Sequence, residues 1–192
     1  MPMMFTKISD IGPYPVKRAD QDRESGDVSV TLTDQAKVYS ARMRLVESTD
    51  QADALEAVRE IAANLMGCEE LALFKLEKKV STLWLYWSFG IDPNKYAYIK
   101  IPKHPNLLTV IEGKIILKVP ATTENLLRSD DTINGLVPIR VDGEITGVLV
   151  LFRLLAHKPA FEPVDLEICD VISNLASLAF KPRSQQSPQE GK

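Results

Sequence analysis

An Asp-Gly pair between two apolar runs constrains the fold of this chain more than any other feature of its sequence. The runs lie within residues 133–152, and Asp142-Gly143 separates them. Asp-Gly favours a two-residue type I′ turn because both central residues of that turn need positive φ. In the second run the residues 148–151 (VLVL) leave neither face of the strand polar. The sequence therefore predicts a hairpin whose second strand is central in a sheet and covered on both sides.

Helical and strand-like segments flank this hairpin. Apolar residues recur at helical spacing from Thr33 to Glu47, on a second helix that starts at Thr49 or Asp50 and runs to Leu65, and on a last helix that ends near Phe180. Short apolar segments predict strands over 71–76, 82–88, 96–101 and 115–119. One short helix is predicted between the last two of these strands, over 106–112. The predicted fold class is α+β, a central antiparallel sheet with the long first and last helices on one face and a short helix plus loops, including 119–132, covering the other.

The chain of 192 residues is long enough for one domain with extensions. Residues 1–27 are rich in proline and charge without a sustained period, which predicts an irregular N-terminal arm. Residues 28–180 form the predicted single domain, and the polar segment 181–192 is predicted to be a C-terminal tail.

Charge and hydropathy exclude several functional classes. A net charge of −3 with interspersed signs argues against nucleic acid as a partner. The longest apolar stretches are interrupted by Thr146, Gly147 and Arg153, so no membrane span is predicted. The first residues lack a basic region followed by an apolar core, which favours a cytoplasmic protein. Cys68 and Cys169 lie in helical contexts and are interpreted as buried, reduced thiols.

Motifs for catalysis are missing from the sequence. The glycines do not form a phosphate-binding pattern. The neighbouring carboxylates in Ser129-Asp130-Asp131, and those of Asp50 and Asp53, lie at polar loop or helix-start positions, which do not push their pKa values apart. His104 and His157 lie at no metal-ligand spacing, so no metal site is predicted. Two interpretations of His104 stay open. It either caps the short helix, or it points into a cavity where an imidazole could bind an anion or a haem iron.

Three stretches together resemble one known family over residues 49–180. They are Glu112–Ile116 (EGKII), Leu136–Leu149 (LVPIRVDGEITGVL), and Phe161 with Asp165 and the ending Leu178–Phe180 (LAF). In order and spacing they are similar to the helix-end glycine, the central hairpin and the terminal helix of GAF domains. The resemblance implies dimerisation through the first and last helices and a cavity on the opposite face. The candidates for the dimer interface are Val38, Met43, Leu175 and Leu178.

The resemblance leaves the ligand and cofactor unknown, because the family includes cyclic-nucleotide binders, bilin and haem sensors, a methionine sulfoxide reductase and members with no known ligand. Cys68 and Cys169 do not lie where bilin attachment or the reductase's cysteine cluster would need them. The signature of cyclic-nucleotide binders cannot be assembled around Asn94-Lys95 or Asn134. The sequence therefore predicts a protein that is not an enzyme.

Aromatic residues of the predicted strand 82–88 suit either a cavity or a core. By strand alternation Trp84, Tyr86 and Ser88 share one face, and Leu83, Leu85 and Trp87 share the other. Rings with one polar group suit a planar ligand, but they also fill an ordinary core. The candidates for a ligand pocket are Trp84, Tyr86, Tyr98, His104, Leu107, Ile111 and Leu136.

These features lead to one functional prediction and one alternative. The first is a noncatalytic sensory or regulatory module that dimerises, binds a small ligand and passes the signal to a separate partner protein. The alternative is a protein-interaction scaffold of the same fold, with a filled cavity and no ligand.

Overall fold

The computed structural model describes residues 21–103, 105–117 and 133–180, with side chains from residue 32 onward. Its helices are α1 (Gln21–Val46), α2 (Gln51–Asn64), α3 (Pro105–Ile111) and α4 (Pro163–Leu175). Its strands are β1 (Cys68–Glu77), β2 (Thr82–Phe89), β3 (Tyr98–Lys100), β4 (Ile116–Leu117), β5 (Gly135–Val141) and β6 (Glu144–Leu154). His104, the loop 119–132 and the segment 181–192 lie outside the described residues.

The chain divides into two compact units, residues 1–33 and 34–192. The first unit contains the beginning of α1, where the side chains of Leu32 and Thr33 are exposed. The helix begins at Gln21, although the sequence predicted a start at Thr33 after an irregular arm over 1–27. Residues 21–27 (QDRESGD) carry no apolar side chain, so an apolar stripe could not reveal the first turns of this helix. Residues 1–20 of the predicted arm lie outside the described residues.

The second unit is built on one antiparallel sheet of six strands in the order β3-β2-β1-β6-β5-β4. The strand β6 lies between β1 and β5, as its apolar residues on both faces predicted. The Asp-Gly turn is confirmed, since Val141 pairs with Glu144 and both Asp142 (φ 53°) and Gly143 (φ 82°) are left-handed. The central position of β6 makes two packed layers necessary.

Two hydrophobic cores cover the two faces of the sheet. The helix-side core joins α1, α2 and α4 to one face, through residues such as Ala41, Ile61 and Ile168. The α3-side core covers the other face with Leu107 and Val110 of α3. The predicted fold class is therefore confirmed for the described residues.

Local chemistry sets the ends of the helices. Of the two predicted starts, Thr49 and Asp50, it is Asp50 that caps α2, and its carboxylate accepts a hydrogen bond of 2.9 Å from the backbone N–H of Asp53. Glu162 and Asp165 form a reciprocal capping box at the start of α4. The last helix is α-helical only to Leu175 and continues as a 3₁₀ segment, Ala176–Phe180. These caps fix the residues at which α2 and α4 begin.

Candidate functional site

A pocket of about 390 Å³ opens on the side of the sheet that carries α3. It lies where β1 and α3 end and where the β5–β6 turn begins. Its apolar lining residues are Leu76, Ile101, Ile111 and Ile145, and the remainder are Lys78, Ser81, Gly143 and Glu144. Small-molecule sites are concave and mostly apolar, with a few polar groups that orient the ligand. The composition of this pocket fits that description.

Two tight turns form the polar rim of the pocket. Ser81 (φ 47°) follows the 3₁₀ segment Lys78–Val80, and Gly143 lies in the Asp-Gly turn of the hairpin. Lys78 Nζ lies 2.7 Å from Glu144 Oε2 and so joins the two turns across the rim. A Cβ added at Gly143 would meet no atom within 4 Å. Glycine is therefore favoured here by the left-handed conformation of the turn and not by a neighbouring group that needs the space.

The electrostatics of the rim suit binding more than acid–base chemistry. The hydrogen bond from Lys78 holds the pKa of Glu144 below its usual range, so this carboxylate is ionised at neutral pH. Both side chains are largely exposed, and a pair of this kind contributes little to stability. The lining residues include no cysteine or histidine. The pocket thus offers an ammonium, a carboxylate and a hydroxyl above an apolar floor.

The pocket candidates predicted from the sequence do not lie together. Ile111 lines the pocket, while Leu107 and Leu136 are fully buried in the α3-side core. Trp84 and Tyr98 are 49% and 53% exposed and stack on each other at 5.4 Å between ring centroids. His104 lies outside the described residues, and Tyr86 is described below.

A β-bulge at Tyr86 explains why strand alternation misplaced the aromatic residues. Leu73 pairs with Trp87 but Phe74 pairs with Leu85, so Tyr86 is an extra residue in β2. The extra residue reverses the alternation, and Trp87 packs against the helix-side core while Leu85 packs against the α3-side core. The predicted face of Trp87 was therefore wrong.

Tyr86 itself also belongs to the helix side. Its ring lies 5.4 Å from that of Phe180, and its hydroxyl is hydrogen-bonded to Gln51 of α2. Trp84 pairs with Lys75, which alternates with Leu73 of the helix-side core. Trp84, Tyr86 and Tyr98 are therefore separated from the pocket by the sheet.

Sequence reasoning missed most of the pocket, including Leu76, Ser81, Ile101 and Ile145. They lie at or beside the ends of different elements, and only Ile145 belongs to a stretch that the resemblance singled out. Lys78 and Glu144, also in the lining, are exposed residues beside turns. The signal that could have located the pocket is that apolar residues continue to the last position of a strand or helix.

Arg140 on β5 connects the neighbourhood of the pocket to the helix side. Its Nη2 donates a hydrogen bond of 2.7 Å to the carbonyl oxygen of Gly113, in the turn that follows α3. Its Nη1 donates to the hydroxyl of Ser173, a fully buried residue of α4. One guanidinium thus holds both the turn that follows α3 and the last turn of α4.

The predicted dimer candidates lie on the helix side. Val38, Leu175 and Leu178 pack partly buried against the helix-side core, and Met43 is half-buried. Val38 also lines an open groove of about 690 Å³ between α1 and α4. The groove has Arg42 and Lys114 among its lining residues, together with Glu167 and Asp170 of α4.

Both cysteines are free and buried. Burial raises the pKa of the Cys68 thiol to about 12 and also raises that of Cys169. Since the thiolate is the nucleophilic form, neither sulfur suits nucleophilic or redox chemistry at neutral pH.

Within 21–103, 105–117 and 133–180, no group of three or more His, Cys, Asp or Glu side chains is arranged to hold a metal ion. In the same ranges, none of the helices combines the length and apolar character that crossing a membrane requires.

Solved structures similar to this chain share its fold. A GAF domain of phosphoenolpyruvate-protein phosphotransferase from Acinetobacter matches with a TM-score of 0.57 and 15% identity, over 76% of this chain and 90% of that one. A GAF domain/HD domain protein from Geobacter sulfurreducens matches with a TM-score of 0.53 and 16% identity, over 71% and 95% of the two chains. This chain therefore has the GAF fold, as the sequence resemblance implied.

An enzyme is also among the similar structures. Free methionine-R-sulfoxide reductase from Neisseria meningitidis, in complex with its substrate, matches with a TM-score of 0.52 and 14% identity, over 76% of this chain and 89% of that one. No family model matches this sequence, and no curated protein matches it. At these identities the likeness shows the fold alone, and function has to be argued from the site.

Proposed function

We propose that this chain is a noncatalytic regulatory module of the GAF type. A small ligand enters the pocket between the end of α3 and the β5–β6 turn and changes the packing of α4. A homodimer formed through α1 and α4 then passes the signal to a separate partner protein. The observation that carries the proposal is the pair of hydrogen bonds by which Arg140 joins Gly113 to Ser173.

The position of Ile111 explains how a ligand would act on this connection. Ile111 lines the pocket, and Gly113 accepts its bond from Arg140 only two positions later. A ligand that displaces Ile111 therefore also displaces the carbonyl that holds the guanidinium. Ser173 is fully buried. If the guanidinium of Arg140 moves, either α4 moves with it or the buried hydroxyl of Ser173 loses its hydrogen-bond partner. Either result gives α4 two states that differ with ligand.

Pocket composition limits the class of ligand. The apolar floor of Leu76, Ile101 and Ile111 suits a flat or branched hydrocarbon portion. The ion pair between Lys78 and Glu144 at the rim suits a molecule that carries a charged or zwitterionic group, because either side chain can exchange its present partner for the ligand. The proposed ligand is therefore a small amphipathic molecule with a charged end.

The noncatalytic part of the proposal rests on the chemistry of the thiols and of the pocket. Cys68 and Cys169 are the sulfur nucleophiles of this chain, and both have no exposed surface. A thiol whose pKa is raised to about 12, as for Cys68, is almost entirely protonated at neutral pH. These properties disfavour a reductase activity like that of the similar enzyme.

The coupling can be tested without knowing the ligand, by filling the pocket with a side chain. Ile145 lines the pocket and is half-buried, so Ile145→Trp places an indole where the ligand would lie. We expect this variant to alter amide hydrogen exchange across α4, residues 163–175. Combining it with Arg140→Met should cancel the alteration, because the connection to α4 is then absent.

A matched control separates pocket filling from the mere presence of an indole. Val80 lies beside the pocket but does not line it and is 60% exposed, so Val80→Trp should leave exchange in α4 unchanged. The proposal would be contradicted if Ile145→Trp changed exchange only around its own strand, or if the change in α4 persisted in the Arg140→Met background.

One observation favours a second candidate, a protein-interaction scaffold without a ligand. Leu107 and Leu136 were expected to line a cavity, but they are fully buried in the α3-side core. Among the described residues, the central part of that face is therefore packed, and the pocket lies at its edge. For a scaffold of this kind, filling the pocket with Ile145→Trp would leave both α4 and partner binding unchanged.

A further inference from the structure

Among the described residues, β3 is an edge strand whose outer side pairs with no other strand. It pairs with β2 and has no other neighbour in the sheet of the described residues. The carbonyl of Ala97 accepts a 3.0 Å hydrogen bond from Leu85, and the N–H of Ile101 donates one of 3.0 Å to Ser81, so odd-numbered residues point towards β2. Because successive residues of an antiparallel strand point in opposite directions, the backbone groups of Tyr98 and Lys100 point to the open edge.

An exposed aromatic pair lies on the helix-side face of the same edge. Trp84 and Tyr98 are directly paired residues of β2 and β3, and their rings lie 5.4 Å apart with an interplanar angle of 45°. Lys75 pairs with Trp84 from the next strand and continues this row. Rings of this kind provide a large contact surface for the side chains of a bound segment.

The charged residues of β3 and of the two short 3₁₀ segments beside it are all lysines. Lys95, Lys100 and Lys103 are exposed and follow each other through β3 and the two short 3₁₀ segments beside it. Among the described residues, none of the three forms an ion pair. The carboxylate of Asp92, just before this stretch, already accepts a hydrogen bond of 3.0 Å from the N–H of Asn94.

These lysines discriminate between the strands that could pair with the edge. Lysine on an edge strand prevents pairing with a second copy of the same edge, since like charges would then lie opposite each other. The same lysines attract a strand that carries carboxylates. We propose that the open edge of β3, with the Trp84–Tyr98 pair, is the docking surface for an extended acidic segment of a partner protein, which adds to the sheet as a further strand.

Single-stranded nucleic acid is disfavoured as the occupant. It would use the stacked rings and the lysines, but a phosphodiester backbone has no N–H donors to alternate with its acceptors along the strand edge. The chain also has a net charge of −3, whereas nucleic-acid-binding domains are typically basic. The backbone groups of Tyr98 and Lys100 match a peptide strand.

The test uses the whole chain and defined probes. A fluorescein-labelled synthetic peptide of alternating valine and glutamate is titrated with the protein and followed by anisotropy. The comparison probes are the valine–lysine peptide, the valine–glutamate peptide with alternate amides N-methylated, and polyuridylate. We expect binding of the first peptide and a loss of about ten-fold on N-methylation, since each blocked amide removes a strand hydrogen bond.

Variants at Lys100 separate charge from backbone. Lys100→Glu should weaken binding about five-fold by reversing one cross-strand charge interaction. Lys100→Pro removes the outward N–H and should weaken binding about ten-fold, whereas Lys100→Gln keeps that N–H and should lose only the charge contribution. Circular dichroism checks that each variant folds, and the N-methylated peptide tests the backbone pairing on the unmodified protein.

Preference for the glutamate peptide together with sensitivity to N-methylation and to Lys100→Pro supports the proposal. Equal binding of the lysine peptide, indifference to N-methylation, preference for polyuridylate or no binding at all would each overturn it.

Discussion

Arg140 on β5 donates a hydrogen bond to the hydroxyl of Ser173 on α4, and Ser173 has no exposed surface. The same guanidinium donates to the carbonyl oxygen of Gly113 over 2.7 Å. A buried polar group that loses its partner is costly, so this side chain is expected to stabilise the fold as well as to connect the pocket to α4.

Replacing Arg140 should therefore destabilise the protein measurably. Arg140→Met leaves the hydroxyl of Ser173 and the carbonyl of Gly113 without their donor and is expected to lower the free energy of unfolding by about 1–3 kcal/mol. Arg153→Met is the control, since Arg153 is 57% exposed and pairs with Glu69 and Glu70 at the surface, where such pairs contribute about 0–1 kcal/mol. Urea unfolding compares the two variants, and equal losses would contradict the structural role of Arg140.

Gly147 of β6 leaves no space for a side chain. A Cβ at this position would collide with the ring of Phe180 and with the backbone carbonyl of Phe74. Gly147→Ala is expected to destabilise the fold by about 1–3 kcal/mol, as overpacking does in other cores, because the neighbouring strand cannot move aside freely. Gly135→Ala meets only flexible leucine side chains and should lose less. Chemical denaturation of both variants checks the order, and the reverse order would contradict this packing.

The thiols predict a loss of stability at alkaline pH. Burial raises the pKa of Cys68 from 9.0 to about 12 and also raises that of Cys169. The unfolded thiols therefore ionise first, so their contribution is complete below about pH 9 and is lost as the pH rises towards about 12, by up to about 1.4 kcal/mol per pH unit for each thiol. The double variant Cys68→Ala/Cys169→Ala should lose stability less steeply between pH 9 and about 10.5. Parallel curves for the two proteins would show that the thiols are not buried as described.

The proposed dimer should dissociate when charge is placed on α4. Leu175→Glu is expected to shift the mass measured by light scattering from dimer to monomer, because the charge would be desolvated in the interface. Leu175 also packs partly against the helix-side core, so circular dichroism must show a folded variant. Leu166→Glu, at a residue of α4 that is 49% exposed and lines the groove, provides a second test that does not disturb the core. A dimeric mass for both folded variants would place the interface elsewhere.

The parts of the fold that local chemistry determines could be predicted from the sequence. The turn at Asp142-Gly143 needs two left-handed residues, and the cap at Asp50 needs a side-chain acceptor, so both could be identified from residue type. The central place of β6 followed from its apolar residues on both faces. These features depend on neighbours in the sequence and not on distant contacts.

The site could not be predicted in the same way. The bulge at Tyr86 depends on how β2 pairs with β1, and one extra residue was enough to move Trp87 to the opposite face. The pocket is formed by the ends of elements that are distant in the sequence, such as Leu76, Ile101 and Ile145. No periodicity within one element records where its end will meet another.

The most direct measurement of the central claim is native mass spectrometry of the purified protein beside the Ile145→Trp variant, with an absorption spectrum of each. If the pocket holds a small amphipathic ligand, the unmodified protein should carry a bound mass that the variant lacks. The control Val80→Trp should retain that mass. If none of the three proteins carried a bound mass, ligand sensing would be contradicted and the scaffold would be favoured.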